Sequence, residues 1–318
     1  MHVLGIDGGG SQTRALLCDA SGRSIGQGLS GGTNPRATSL EDVRAHLQEA
    51  IAQAIEGTDS SQIVAAHLGI AGAGDAEASA KIAPMVGEIL GAASATTVGH
   101  DLEIALVGGL GGEAGVALVA GTGSACYGRS ALGRSAECGG WGDLVDDAGS
   151  GNWIGLRALQ VCVRQADGRL PESPLKQAVM HFLGIESMDA FKARIHDTGL
   201  SRSERAKIAP IILDLAASGD RASAGIVSEG IDDLCSSVIS TSRQLEIAEP
   251  KILLTGGLTQ HRYFRDLLKT ALMTRIPAAR ITQPILSPTE GAVLLALTAA
   301  GIQISEDTIE TLNKASHS

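Results

Sequence analysis

The sequence predicts an α/β protein made of two duplicated lobes, each a mixed sheet flanked by helices. A unit of strand, glycine-rich turn, strand and hairpin begins at Val3 and recurs at Val116. After the first unit, helices and strands alternate, which indicates that parallel strands extend the sheet. The length of 318 residues suits two compact lobes better than one. An internal duplication is the simplest account of these observations.

The first lobe is predicted to open with a three-stranded meander and to continue with alternating helices and strands. Turns rich in Gly, Ser and Asp separate the meander strands. Ser39 is a predicted helix N-cap, with Asp42 three residues later as its partner. We expect strands at 3–7, 13–19, 24–29, 62–70 and 95–98, and helices at 39–55 and 75–90.

The second lobe is predicted to repeat the meander and then to become helical. Gly133 marks its hairpin, and Pro288 opens a final apolar helix that ends near Ala300. The tail from Ile304 is polar, and we expect it to be poorly ordered. We expect strands at 116–120, 125–129 and 251–255, with residues 150–247 almost wholly helical.

These elements divide the chain near residue 114. The N-terminal lobe is predicted to hold residues 1–114 together with helix 289–303. The C-terminal lobe is predicted to hold residues 115–288, with a helical insertion at 150–247. Because no long linker separates the lobes, we expect the boundary to act as a hinge.

Charge and apolar patterning exclude several classes of protein. The formal net charge is -10 and no run of Lys or Arg occurs, so a nucleic-acid-binding protein is not expected. The longest apolar run, near 291–304, is too short to span a bilayer, and the first residues lack the pattern of a signal peptide. We therefore expect a cytoplasmic protein that binds neither nucleic acid nor membrane.

The cysteines argue against a disulfide framework, a zinc ribbon or an iron–sulfur cluster held within one chain. Their number is odd and none forms a C-x-x-C pair. Reduced thiols, some of them packed in the core, are the expected state. The cysteines are Cys18, Cys126, Cys138, Cys162 and Cys235.

Two glycine-rich hairpins are the strongest candidates for a phosphate site. Such turns expose successive backbone N–H groups, and no Cβ blocks the approach of phosphate oxygens. Asp7 ends a hydrophobic strand beside the first hairpin, where a carboxylate can hold Mg²⁺ directly or through water. Plain hairpins are the alternative, but their matching places in the repeat favour a ligand site. The hydroxyls of Ser11, Thr13, Thr122 and Ser124 are expected to add donors to the phosphates. The candidate residues are Gly9, Gly10, Ser11 and Thr13 in the first hairpin and Gly121, Thr122, Gly123 and Ser124 in the second.

Competing nucleotide-binding motifs are absent from the sequence. No G-x-x-x-x-G-K-[ST] motif occurs, so a P-loop is excluded. The first glycine turn lacks the dinucleotide-binding spacing and precedes a strand, not a helix. A nucleotide is therefore expected between the hairpins and not at a helix N-terminus.

Four motifs resemble those of one superfamily. DGGGSQT from Asp7 resembles its first phosphate motif, and VALVAGTGSAC from Val116 resembles its second. LLTGG, which ends at Gly256 and Gly257, resembles its adenosine motif, and the segment 139–150 resembles one typical of its sugar kinases. Over most of its length the chain thus resembles the actin, sugar-kinase and heat-shock-chaperone superfamily. Within it, the resemblance is to the N-acetylglucosamine kinase group, also called the BadF/BadG/BcrA/BcrD ATPase-like family.

This resemblance implies an actin-like ATPase fold, with two ribonuclease-H-like lobes and a cleft between them. It also implies a role for Asp101, which follows a buried strand and opens a helix. A carboxylate there caps the helix or accepts the proton of an attacking hydroxyl. The resemblance favours the general base.

The resemblance also implies which residues contact a sugar. Asn34, Gly140 and Asp147 match sugar-contacting positions, and Asp101 joins them; an Asn-Pro turn and a solvated loop acid are the alternatives for Asn34 and Asp147. Trp141 either packs on a sugar ring or anchors its loop, and we favour the anchor. His100 is expected to be structural.

The implied reaction is the ATP- and Mg²⁺-dependent phosphorylation of an amino sugar, most simply N-acetylglucosamine to its 6-phosphate, by a homodimer. Many relatives have Asp-Glu-Gly-Ser where this chain has Ala148 after Asp147. That difference leaves the sugar open among N-acetylglucosamine, glucosamine, N-acetylmuramic acid and glucose.

Other functions have weaker support in the sequence. An ATPase activator of a 2-hydroxyacyl-CoA dehydratase or benzoyl-CoA reductase system would need cysteines for a cluster at a subunit interface, whereas Cys126 and Cys138 lie in sugar-kinase motifs. A sugar-sensing regulator would need a DNA-binding module, for which the motif at Asp7 is expected to leave no room. The cysteine-rich zinc motif of ROK-type kinases is missing.

Overall fold

A computed structural model describes residues 1–74, 76–91 and 95–315, apart from the side chains of Thr198 and Ala315. The chain forms two compact units. The first unit contains Met1–Gly115 and the C-terminal segment that starts at Gln283, and the second contains Val116–Thr282. The sequence places the corresponding boundaries at 114 and 288, so the segment 283–288 lies in a different unit from the predicted one.

The strands and helices of both units are numbered here along the chain. The strands are β1 (His2–Gly8), β2 (Gln12–Asp19), β3 (Ser24–Gly31), β4 (Ile63–Ile70), β5 (Ala95–His100), β6 (Gly115–Ala120), β7 (Ser124–Arg129), β8 (Ser135–Gly139), β9 (Lys251–Thr255) and β10 (Arg280–Thr282). The helices are α1 (Leu40–Ala54), α2 (Ala76–Leu90), α3 (Asp101–Gly109), α4 (Gly151–Ala166), α5 (Pro174–Phe182), α6 (Met188–Ala193), α7 (Arg202–Ala206), α8 (Ala209–Ala217), α9 (Arg221–Gln244), α10 (Arg262–Arg275), α11 (Pro288–Ala299) and α12 (Glu306–Ala315).

Both units contain a mixed sheet with the same strand order. In the first, the order is β3-β2-β1-β4-β5, with β1 antiparallel to β2 and parallel to β4. In the second, the order read from the other edge is β8-β7-β6-β9-β10, with β6 parallel to β9 and β7 antiparallel to β8. The predicted duplication of an α/β unit is therefore confirmed.

Alternation along β1 builds a core on each face of the first sheet. Leu4 and Ile6 pack in a buried cluster with residues of α1 and α2. Val3 points to the other face and packs with residues of α3 and α11, such as Val293. A Cβ on Gly5 would lie only 2.5 Å from the Val293 nitrogen, so glycine lets α11 lie directly on β1.

Local signals explain the ends of several helices. The Ser39 hydroxyl accepts the Asp42 N–H at 3.1 Å, which confirms the predicted N-cap of α1. The prediction of a poorly ordered tail after Ile304 is wrong for Glu306–Ala315, because these residues form α12. Leu312 is buried in the same cluster as α11, so packing stabilises this polar helix. Asp75, the predicted first residue of the second helix, lies outside the described residues.

No helix in the described parts of the chain combines the length and the apolar character needed to cross a membrane.

We expect Cys138 to be the thiol that reacts first in the folded protein. Burial raises the pKa of Cys18, Cys126 and Cys162 to about 12 and that of Cys235 to about 11, so almost none of these is a thiolate near neutral pH. Cys138 is only partly buried. Titration of the native protein with a chromogenic disulfide should show one fast thiol that Cys138→Ser removes. A fast thiol that survives in Cys138→Ser would contradict this expectation.

Candidate functional site

Three parallel strands of the first unit end together and bring two predicted acids to one sheet edge. Gly8 on β1 pairs with Ile70 on β4, which pairs with His100 on β5. Asp7 and Asp101 are each one residue from this row. The carboxyl ends of parallel strands are the usual ligand edge of an α/β sheet. The edge therefore places both acids where a ligand is expected.

Backbone hydrogen bonds within the first glycine turn, and one from Thr33 just after β3, hold this turn. The Gly9 N–H donates to the Gln12 carbonyl at 2.8 Å, and the Gly9 carbonyl accepts the Thr33 N–H at 2.9 Å. Gly10 and Ser11 at the tip are exposed, and a Cβ on Gly10 would meet no atom of the described residues within 4 Å. The backbone at the tip is thus accessible, whereas Gly9 shapes the turn.

The sequence predicts that the Thr13 hydroxyl is a phosphate donor, but in the structure this hydroxyl supports the turn. The side chain is fully buried, and its hydroxyl donates to the Gly31 carbonyl at 2.7 Å. The Thr33 hydroxyl lies 3.0 Å away. A hydroxyl has one hydrogen, so this bond uses the only donor of Thr13.

The Asp7 carboxylate lies in an environment that disfavours its charge. Burial raises the pKa of Asp7, the Arg14 charge lowers it, and the Asp101 charge raises it again, with a net upward shift. Asp7 borders a cavity of about 540 Å³ in the first unit. A cation is therefore the ligand that would best complement this carboxylate.

These residues fit Mg²⁺ better than a metal held by protein alone. Among the described residues, no group of three or more His, Cys, Asp or Glu side chains could hold a metal. Mg²⁺ takes few carboxylate ligands and completes its shell with water and phosphate oxygens. Asp7 offers such a carboxylate.

We expect Asp7→Asn to raise the melting temperature slightly at neutral pH. The folded-state pKa of Asp7 is raised above its unfolded value, so ionisation opposes folding at every pH above that folded pKa. This penalty disappears as the pH falls below the unfolded pKa, so the gain should vanish in acid. Melting curves across pH for wild type, Asp7→Asn and the exposed-acid control Asp189→Asn measure it. A gain that is unchanged in acid would contradict the charge explanation.

Asp101 begins α3, but it is His100 that caps this helix. The His100 Nδ1 accepts the Leu102 N–H at 3.0 Å, so the expected structural role of His100 is confirmed and the capping alternative for Asp101 is wrong. Asp101 Oδ1 lies 2.6 Å from the same Nδ1. This nitrogen has one in-plane position, so it cannot accept from Leu102 and donate to Asp101 together. While the cap is formed, the Asp101 carboxylate is left available to accept a proton.

Asn34 forms a turn at the first unit's predicted sugar position. Its Oδ1 accepts the Arg36 N–H at 2.9 Å, and its backbone carbonyl accepts the Ala37 and Thr38 N–H groups. The predicted Asn-Pro turn therefore exists. A sugar contact would fall to the Asn34 amide N–H₂ group, and that contact stays a prediction.

In the second unit, backbone bonds hold the second glycine turn against the start of α4. The carbonyls of Gly121 and Thr122 accept the N–H groups of Gly151 and Asn152 at 2.8 and 3.1 Å. The Ser124 hydroxyl donates to the Ala148 carbonyl at 2.9 Å, so this hydroxyl supports the loop. Ser124 thus differs from its predicted role as a side-chain phosphate donor.

The structure brings the predicted adenosine motif onto this second turn. Val119 pairs with Thr255, so β6 and β9 end side by side. Gly256 has φ of +97°, and a Cβ there would clash with the Ala120 carbonyl oxygen. A Cβ on Gly257 would have no neighbour within 4 Å in the part of the chain that the structure describes. Gly256 is therefore needed for close backbone packing, whereas the backbone of Gly257 is open to a ligand.

Asp147 packs against the second glycine turn and has a partner that the sequence does not predict. Its side chain is 2% exposed, it adopts φ of +64°, and its carboxylate accepts the Ser124 N–H at 3.3 Å. Arg202, at the start of α7, donates to it at 2.5 Å. Burial raises the pKa of Asp147, while the Ser124 N–H and the Arg202 charge lower it, with a net upward shift. No sequence motif links two residues so far apart in the chain.

Gly140 and Trp141 form an exposed loop in the second unit. Gly140 has φ of +78°, and a Cβ there would lie 3.4 Å from the Ala125 Cβ. Trp141 is 82% exposed, so the expectation that its indole anchors the loop is wrong. The loop is held by the Trp141 N–H, which donates to Asp146 at 3.2 Å.

The predicted site residues thus fall into two groups. Asp7, Gly9, Gly10, Ser11, Thr13, Asn34 and Asp101 lie in the first unit, and Gly121, Thr122, Gly123, Ser124, Gly140, Asp147, Gly256 and Gly257 lie in the second. Their roles toward ligands stay predictions.

Known proteins resemble this chain over nearly its whole length. The BadF/BadG/BcrA/BcrD ATPase family matches residues 4–296. The N-acetylmuramic acid/N-acetylglucosamine kinase of Clostridium acetobutylicum is 31% identical over 300 residues, which cover 93% of this chain and 98% of that protein.

Solved structures of sugar kinases are similar to this chain in fold. A candidate N-acetylglucosamine kinase from Chromobacterium violaceum has 26% identity and a TM-score of 0.66, with 93% of this chain and 98% of that one covered. A ROK family glucokinase from Streptomyces griseus, solved with glucose and AMPPNP, shares the fold alone at 18% identity and a TM-score of 0.54, covering 94% of this chain and 100% of its own. The predicted actin-like ATPase fold is confirmed. The chain belongs to the BadF/BadG/BcrA/BcrD ATPase family.

Proposed function

We propose that this sugar kinase transfers the γ-phosphoryl group of ATP to the 6-hydroxyl of an N-acetylated amino sugar, with N-acetylglucosamine as the first candidate. The observation that carries the proposal is the sheet edge of the first unit, where Asp7 is the penultimate residue of β1 and Asp101 directly follows β5, two parallel-sheet strands that end together. The 31% identical relative, an N-acetylmuramic acid/N-acetylglucosamine kinase, supports the sugar class.

Asp101 is proposed to be the general base. A sugar hydroxyl is a weak nucleophile, and a carboxylate in hydrogen-bond reach accepts its proton as the bond to phosphorus forms. His100 caps α3 in place of Asp101, which leaves the acid at the helix N-terminus, where the helix dipole stabilises the carboxylate.

The glycine turns are proposed to bind phosphate oxygens through backbone N–H groups. In the first unit, these are the N–H groups of Gly10 and Ser11 at the exposed tip. In the second unit, Thr122 and Gly123 are proposed to serve the same purpose, with the Gly257 backbone next to the adenosine. Because the protein has a net charge of -10, local groups such as these dipoles, and not the overall charge, must hold the anionic nucleotide.

Asp7 is proposed to hold Mg²⁺, directly or through water. When bound, Mg²⁺ would neutralise charge on the phosphates and so favour transfer. The half-buried Asp7 carboxylate, whose pKa burial raises, would gain a second positive charge in addition to that of Arg14.

The activator of a dehydratase or reductase is not favoured. A cluster at a subunit interface would need several accessible thiolates, but Cys126 is fully buried and burial raises its pKa to about 12, which leaves Cys138 as the accessible one of the two. Ala148 remains the departure from the relatives' Asp-Glu-Gly-Ser, and its carbonyl accepts the Ser124 hydroxyl. Because the relatives have a glutamate at this place, the side chain at 148 is the first feature to change if glucosamine proves to be the better substrate.

The homodimer that the sequence resemblance implies stays a prediction.

A coupled assay of ADP release tests this function. Purified protein with Mg-ATP would be offered N-acetylglucosamine, N-acetylmuramic acid, glucosamine and glucose separately, and the product would be located by phosphorus NMR. We expect the N-acetylated sugars to give the highest kcat/KM and the phosphate to lie on the 6-oxygen. ADP release that no sugar stimulates would overturn the proposal.

A further inference from the structure

Arg202 lies against the second glycine turn. A Cβ on Gly123 would overlap the Arg202 Nη2 atom and would lie 3.1 Å from both oxygens of Asp147. The guanidinium therefore occupies the space that any side chain at 123 would fill. Its position is set by the start of α7, where Ser201 and Glu204 form a reciprocal capping box.

Asp147 connects this guanidinium to the turn. One carboxylate accepts both the Arg202 N–H at 2.5 Å and the Ser124 N–H at 3.3 Å. The residue is 1% exposed and holds a left-handed backbone with φ of +64°, which a non-glycine residue adopts only when its surroundings require it. The pair therefore has a fixed geometry relative to the turn.

Arg202 keeps donors for a further partner. Its side chain is 44% exposed, and a guanidinium carries five N–H donors, of which the Asp147 bond uses one. Arginine stays charged at any physiological pH and matches the oxygens of a phosphate with a planar pair of donors. The chain as a whole carries a net charge of -10, so the Arg202 guanidinium offers an anion a local positive charge that the overall charge does not provide.

We propose that Arg202 binds the phosphates of the nucleotide at the second glycine turn, and that Asp147 is a positioning residue that holds the guanidinium there. This rests on the proposed function, because it takes the turn to be a phosphate site. It assigns Asp147 a task other than the sugar contact that the sequence predicts.

Direct binding measurements on the full protein test the proposal. The probes are ATP, ADP and adenosine, titrated by calorimetry into wild type, Arg202→Met, Arg202→Lys and the control Arg275→Met. Arg275, on α10 of the second unit, is a suitable control because it is 37% exposed and also pairs with one aspartate, Asp232 on α9. We expect Arg202→Met to weaken ATP and ADP by about 10- to 100-fold, with adenosine unchanged, Arg202→Lys intermediate and the control like wild type.

A double variant separates positioning from direct binding. Asp147→Asn should weaken ATP in the presence of Arg202, but Asp147→Asn with Arg202→Met should bind ATP no worse than Arg202→Met alone. Its effect on the KM for sugar should be small. If Asp147→Asn raises the KM for sugar in both backgrounds, the sugar contact is correct and the positioning role is overturned.

Three results would overturn the role of Arg202. These are unchanged ATP affinity in Arg202→Met, an equal loss for adenosine, and a defect confined to the KM of the acidic sugar N-acetylmuramic acid. Should Arg202→Met lower the melting temperature, Arg202→Gln, which keeps a polar N–H₂ group but removes the charge, replaces it. Failure of sugar-stimulated ADP release in wild type would refute the proposed function alone, because nucleotide binding is measured without turnover.

Discussion

Replacing Asp101 with asparagine is expected to lower kcat by about 10²- to 10⁴-fold, with little change in ATP affinity. Asparagine keeps the shape of the side chain but cannot accept the proton of the sugar hydroxyl. His100, not Asp101, caps α3, so the helix should still form. Steady-state kinetics with saturating sugar, together with calorimetric titration of ATP, measure the two effects separately.

A matched control accounts for the charge at the start of a helix. Asp189 is an exposed acid in the first turn of α6, so Asp189→Asn removes the same interaction with a helix dipole, worth about 0.3–1 kcal/mol. We expect Asp189→Asn to keep wild-type kcat and to report the stability effect of losing a charge at a helix start alone. Near-normal kcat in Asp101→Asn would show that another group accepts the proton.

The second large effect is expected from Gly256→Ala, which should lower the free energy of unfolding by about 2–4 kcal/mol and abolish tight ATP binding. Gly256 has φ of +97°, which costs an L-residue energy, and the new methyl group would clash with the Ala120 carbonyl oxygen. The clash would push β9's end away from Gly121 and so distort the second glycine turn. Urea unfolding and ATP titration measure the two losses.

Gly257→Ala is the control, because Gly257 follows Gly256 in sequence but has neither a positive φ nor a close contact at its Cβ position. A Cβ on Gly257 would meet none of the described residues within 4 Å, so stability should stay within about 0.5 kcal/mol of wild type. If the adenosine lies against this backbone, ATP affinity should nevertheless fall in Gly257→Ala. Equal destabilisation by the two variants would contradict the packing described for Gly256.

The repeated meander could be predicted from sequence because its signals are local. Glycine turns and alternating apolar residues near Val3 and Val116 mark strands without any knowledge of the fold. Strand β10 could not be predicted, because the three residues Arg280–Thr282 are too few to show a period. Helix α12 was missed because its polar sequence gains stability from burying Leu312, which is a tertiary effect.

The candidate site was predictable to the level of its loops but not of its side chains. The turns at Gly9 and Gly121 follow from motifs, since glycine is required where the backbone bends or meets a ligand. Whether a hydroxyl points inward, as that of Thr13 does, depends on β3 and the residues after it. The pair of Asp147 and Arg202 depends on how helices of the second unit pack, which no local pattern reports.

The first unit is built from two stretches of chain that are far apart in sequence, and this has a consequence for biosynthesis. Val3, Ala65 and Ile104 share a core with Val293 and Leu297, which the ribosome adds almost two hundred residues after Ile104. During translation, one face of the first unit's sheet therefore lacks its cover from α11 until that helix has been synthesised. The second unit is continuous from Val116 to Thr282, so its own core is complete before α11 leaves the exit tunnel. Nascent chains should therefore need protection of that uncovered face until the final helices emerge.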